Sequence, residues 1–117
     1  MANELKEITA GELHKKILAG EKFTIVDVRE PWELNYASLR DERVINLPMS
    51  RIGQLYNQAF PDELRSPETE MVVMCHHGVR SANVVLWMMQ AGWKNVSSLA
   101  GGIAAYAQAV DPQVGWY

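Results

Sequence analysis

Cysteine is almost absent: Cys75 alone occurs among 117 residues, so no internal disulfide can form and its thiol is left free for chemistry. A chain so poor in cysteine suits a reducing compartment. Basic residues are also few, 11 Lys+Arg against 14 Asp+Glu, for a formal net charge of −3. They form no cluster, which argues against a nucleic-acid partner or an anionic membrane surface. No apolar run approaches the length that spans a bilayer, and Met1-Ala2-Asn3-Glu4-Leu5-Lys6-Glu7 lacks a basic start followed by an apolar stretch. A cytoplasmic location is therefore the expectation. Three histidines, His14, His76 and His77, offer no paired zinc-ligand spacing, so no metal is expected, nor any organic cofactor. Repeats and low-complexity segments are missing too. What remains is 48% hydrophobic and 21% charged, the composition of one globular domain over residues 1–117.

Apolar strand-like runs alternate with helical patterns, which predicts an α/β fold with a parallel sheet. Thr9-Ala10-Gly11-Glu12 has capping-box spacing ahead of Leu13, Ile17 and Leu18, predicting a helix over about 10–19 that Gly20 stops. Phe23-Thr24-Ile25-Val26 reads as a buried strand, and Pro31 opens a short helix carrying Trp32, Glu33 and Leu34. Val44-Ile45-Asn46-Leu47 reads as another strand. Ile52, Leu55, Tyr56, Ala59 and Phe60 then mark an amphipathic helix that ends near Pro61. Met71-Val72-Val73-Met74 and Asn95-Val96-Ser97-Ser98-Leu99 are further strands. Each is followed by a helix, the last after Gly101-Gly102.

The chemistry concentrates after Met74, in Cys75-His76-His77-Gly78-Val79-Arg80-Ser81. Ala82, Val85, Leu86 and Met89 recur at helical spacing downstream, so Cys75 sits at a strand-to-helix turn. Such a turn aims backbone N–H groups at one point, and the helix N-terminus with Arg80 favours a thiolate or bound anion there. Gly78 supplies freedom for the tight curl. The bland alternative is that Cys75 is an inert, buried small hydrophobe. In open parallel sheets ligands bind beyond the carboxyl ends of strands. Asp27 to Glu30, Cys75 to Arg80 and Ala100 to Gly102 all follow such ends and are expected to converge.

With these residues in view the chain resembles the rhodanese family of sulfurtransferase domains. The resemblance rests on Asp27-Val28-Arg29-Glu30-Pro31-Trp32-Glu33-Leu34, Val44-Ile45-Asn46-Leu47-Pro48, the cysteine loop, and Gly92-Trp93-Lys94-Asn95-Val96 through Leu99-Ala100-Gly101-Gly102. It covers nearly the whole chain in order. It implies a stand-alone single domain: a five-stranded parallel sheet flanked by helices on both faces. It also implies a sulfurtransferase in which Cys75 takes the outer sulfur of thiosulfate or a persulfide and passes it to cyanide or a thiol, the acceptor being a small molecule or a protein.

Cys75 and Arg80 are the candidate catalytic residues. The loop from His76 through His77, Gly78 and Val79 to Ser81 is the candidate substrate cradle. Arg80 has two readings: it holds a donor oxyanion, or it makes a structural ion pair, with Glu30 as the candidate partner. His76 and His77 are read as exposed loop residues or rim donors, and Ser81 as a helix cap, with a hydrogen bond within the loop as its alternative. Asp27 and Arg29 are read as structural. Trp32 is read as a pocket wall or an anchor of its short helix. Two other functions are weighed. A related phosphatase or arsenate reductase carries a longer loop between cysteine and arginine, and a non-catalytic interaction module commonly lacks the cysteine. One departure from the family lies at Ala37-Ser38-Leu39-Arg40-Asp41-Glu42-Arg43, where a charged, exposed loop is expected.

Overall fold

Thr9 starts the first helix as its spacing predicts: its hydroxyl accepts from Glu12 N at 3.1 Å, and the Glu12 carboxylate accepts from Thr9 N at 2.9 Å. In this computed structural model residues 4–117 are described, and Met1 to Asn3 of the leader reading lie outside them. Strands β1 (Glu7–Ile8), β2 (Thr24–Asp27), β3 (Val44–Asn46), β4 (Met71–Met74) and β5 (Val96–Leu99) form one sheet in the order β1-β5-β4-β2-β3. Every pairing is parallel. Helices α1 (Ala10–Leu18), α2 (Met49–Leu55), α3 (Val79–Ala91) and α4 (Gly102–Ala109) cover it. The sheet is the expected five-stranded one with helices on both faces.

β4 is central, and all four of its side chains are buried, so its sequence is continuously apolar rather than alternating. Met71 and Val73 join Val84, Val85 and Met88 of α3 on one face. Val72 and Met74 join Leu13 of α1 and Ile103 and Tyr106 of α4 on the other. Met88 is fully buried and Trp87 half-buried, which leaves little of α3 free.

Two expectations change. The helix read from Ile52 to Phe60 begins earlier, at Met49, whose N–H donates to Val28 O at 2.9 Å, and it ends at Leu55. Tyr56 then takes φ +52° and a 3-10 turn runs over Tyr56–Ala59. This break carries Phe60 into the core, 4.9 Å ring to ring from Trp93. Pro61 keeps Phe60 extended, at ψ 138°. The segment 37–43 is not a free, exposed loop. Ala37 is buried and bridges Gly115, Ser38 N donates to Val114 O at 2.7 Å, and Arg43 grips both oxygens of Asp41 at 2.9 Å. The tail thus packs on the domain through Val114 and Gly115, while Trp116 is exposed. A Cβ at Gly115 would lie 2.3 Å from Tyr36 O, so this contact requires glycine.

Candidate active site

Cys75 follows the last residue of β4, and the chain curls back over it into α3. Its Sγ accepts from Gly78 N at 3.1 Å and Ser81 N at 3.3 Å, and it lies 3.4 Å from Ser81 Oγ. These donors converge on sulfur because Gly78 takes φ +98°, a left-handed conformation that glycine adopts freely. The loop carbonyls face the other way. Ile103 N donates to Cys75 O at 2.9 Å and Ala104 N to His76 O at 3.1 Å, so the first turn of α4 holds the loop from outside. This approach tolerates no side chain at Gly102, where a Cβ would fall 2.4 Å from His76 O. The double glycine is therefore part of the cysteine loop's mould.

Arg80 commits its guanidinium to a carboxylate. Its Nη1 and Nη2 meet Glu33 Oε2 and Oε1 at 2.7 and 2.8 Å, a bidentate pair. The partner is Glu33, not the expected Glu30. Glu30 instead accepts from the hydroxyl of Ser50 at 2.8 Å and from Ser50 N at 3.3 Å, at the start of α2. Glu33 also accepts from Glu30 N and from the Tyr117 hydroxyl, both at 2.9 Å. Arg80 beside it holds the Glu33 carboxyl down at about 2, and Glu33 raises the Arg80 guanidinium above its ordinary value.

A strand-to-helix loop whose amides surround a sole cysteine narrows the family. The family model for the rhodanese-like domain matches residues 9–109. The chain belongs to the rhodanese-like family. This rhodanese-like chain is 30% identical over 109 residues to "Thiosulfate sulfurtransferase GlpE" of Haemophilus influenzae, covering 92% of each. It is 34% identical over 116 residues to "Rhodanese-like/PpiC domain-containing protein 12, chloroplastic" of Arabidopsis thaliana. That match takes in 97% of this chain but 38% of the plant protein. Among solved structures, a rhodanese-related protein from Thermoplasma volcanium superposes with a TM-score of 0.71 at 30% identity, over 90% of this chain and 93% of that one.

Around the rhodanese-like loop the other expected residues take distinct places. His76 is half-buried, stacked on Tyr117 with centroids 3.7 Å apart and planes 5° apart, and exposed His77 stacks on its other side at 3.8 Å. Burial, and then His77, pull the His76 imidazole below the usual histidine range. Val79 and Trp32 are exposed, so Trp32 does not anchor its turn (Pro31–Asn35) in the core. Asp27 and Arg29 form a sealed ion pair, Nη2 to Oδ2 at 2.7 Å, beside the loop. Ser81 does not cap α3. Gly78 holds that position, and Ser81, one turn in, directs its hydroxyl to the loop instead.

Besides Glu33, two residues of the site escaped the sequence reading. Tyr117 spans both ion pairs, accepting from Arg29 Nη1 at 3.1 Å while donating to Glu33. No local pattern announces a contact across so much chain. Ser98, buried on β5 against Ser81, had a faint signal: a polar residue on the same side of the strand as apolar Val96. No helix among the described residues is long and apolar enough to cross a membrane.

Proposed function

We propose that this chain is a single-domain sulfurtransferase of the cytoplasm, acting through a persulfide on Cys75. The thiolate attacks the outer sulfur of thiosulfate or of a persulfide donor. A new S–S bond forms, the donor's sulfur bond breaks, and sulfite or a thiolate leaves with the electron pair. Cyanide or a thiol, free or on a protein, then attacks the outer sulfur and releases the Cys75 thiolate, as thiocyanate or a new persulfide forms.

The observation that carries this reading is the convergence of Gly78 N and Ser81 N on one sulfur, with the Ser81 hydroxyl 3.4 Å away and able to donate once that sulfur is an anion. Donors so placed stabilise the anionic thiolate before reaction and the anionic terminal sulfur after it. Four residues separate Cys75 from Arg80, a tight loop that suits one sulfur better than a tetrahedral phosphate. Arg80 serves as the brace of this loop, since both faces of its fork are already given to Glu33. His76, His77 and Val79 form the rim past which donor and acceptor approach.

The deciding experiment is the intact mass of reduced protein after thiosulfate, then after cyanide, with Cys75→Ser alongside. Gain of one sulfur that cyanide removes, absent in the mutant, is the expected result. No gain from thiosulfate or a small persulfide overturns the carrier reading in favour of a binding module.

A further inference from the structure

Ser81 Oγ touches three groups: Cys75 Sγ at 3.4 Å, Gly78 O at 3.3 Å and Ser98 Oγ at 2.8 Å. A hydroxyl has one proton to give and two lone pairs to offer. While Cys75 is a thiol, its S–H donates to Ser81, and the Ser81 proton is free for Gly78 O or Ser98. Once Cys75 is a thiolate, its sulfur only accepts, so the Ser81 proton turns to it. Both Ser81 lone pairs then want a donor. Gly78 O cannot supply one. Ser98 can: it is fully buried and, among the described residues, its hydroxyl bonds only Ser81.

We infer that Ser98 is a positioning residue for the Cys75 thiolate, its hydroxyl donating to Ser81 so that both protons line up toward the sulfur. The inference rests on the reading of Cys75 as nucleophile. Geometry places Ser98 for this task. Strand alternation puts Val96 and Ser98 on the α3 side of β5, beneath the loop, and Ser97 on the opposite side. Other groups act on the same sulfur or its loop: Arg80 with Glu33, His76 and His77 on the loop, Tyr117 over His76, and Asp27 with Arg29 at the end of β2. β5 and α4 bring no ionisable group except the Tyr106 phenol, which bonds His14. Ser98 is therefore the polar contribution of β5 to the site.

The test is titration of the thiolate by its ultraviolet absorbance, with Cys75→Ser subtracted. In Ser98→Ala the thiolate midpoint should rise by ~0.5–1 pH unit, the loss of part of a charge-assisted hydrogen bond. Ser97→Ala should leave it in place. In a Ser81→Ala background, Ser98→Ala should add nothing, because its effect passes through that hydroxyl. A Ser98→Ala curve that overlays the wild type, or an equal shift in the Ser81→Ala background, would overturn the inference. The titration reads Cys75's proton and the mass experiment reads its sulfur. A shifted midpoint without sulfur loading sinks the function alone, and sulfur loading without a shift sinks only the role of Ser98.

Discussion

Two arginine–carboxylate pairs stand side by side at the carboxyl end of the sheet, and they differ in their access to water. Asp27–Arg29 is sealed, with side chains 1% and 0% exposed, whereas in Glu33–Arg80 the carboxylate is 5% and the guanidinium 34% exposed. The sealed pair is saturated by its surroundings. Arg29 uses Nε and Nη2 on Asp27 and Nη1 on Tyr117, while Asn46 Nδ2 ties the carbonyls of Asp27 and Arg29 at 2.9 Å each. Such a pair behaves as a rigid scaffold, costly to break and idle in chemistry. The open pair joins an element outside the loop to the loop itself, so its geometry is transmitted to the cysteine. Burial thus separates an ion pair that holds the fold from one that shapes the site.

The largest expected effect comes from breaking the sealed pair. Arg29→Met strands the Asp27 charge in the interior and should cost about 3–5 kcal/mol, read as a loss in chemical denaturation. A loss below about 1 kcal/mol would remove the distinction between the two pairs.

Glu33→Gln should cost less, about 1–3 kcal/mol, because Arg80 can turn to water. Its effect on transfer should be larger, with turnover down roughly 10-fold and KM for thiosulfate little changed, as in Arg80→Lys, which keeps the charge but loses the fork. If Glu33→Gln instead lowered KM by freeing Arg80 for thiosulfate, the brace would be the wrong role.

Acid sharpens the same contrast. Glu33 ionises at about 2 in the folded chain against an ordinary value of 4.5. The stabilisation it supplies is complete above about 4.5 and declines as pH falls toward 2. Discounted for the partly exposed Arg80, it amounts to roughly 1–2 kcal/mol. Denaturation midpoints measured across that window should fall more steeply for wild type than for Glu33→Gln, and parallel curves would count against the coupling.

The smallest effect belongs to the link between the pairs. Tyr117→Phe keeps the ring on His76 and loses the hydroxyl between Arg29 and Glu33, for a loss of about 0.5–1.5 kcal/mol in thermal melting. A larger loss would mean that the two pairs act as one unit.

What the sequence disclosed followed the range of the physics involved. α1, β2, β4 and the position of Cys75 were legible because caps, apolar runs and glycines act over a few residues. The approach of Gly101-Gly102 to the cysteine was foreseeable from parallel topology, whose strand ends share one edge. The partner of Arg80 was not. In a 3-10 turn residues three apart share a face, so Glu30 and Glu33 are equivalent candidates until packing sends one to Ser50 and the other to Arg80. β1, two residues long at the sheet's edge, offers no period to detect. The bend at Tyr56 and the reach of Tyr117 depend on partners far along the chain, which neither propensity nor spacing records.

The grip of α4 on the cysteine loop has a temporal consequence. Synthesis makes the N-terminal elements first, yet the carbonyls of Cys75 and His76 meet their donors only when Ile103 and Ala104 exist. A nascent chain that stops short of Gly101 carries Cys75 without the template that turns its amides inward. Under the role proposed for Cys75, its anion cradle is complete only after Ile103 and Ala104 have been made and have docked on the loop.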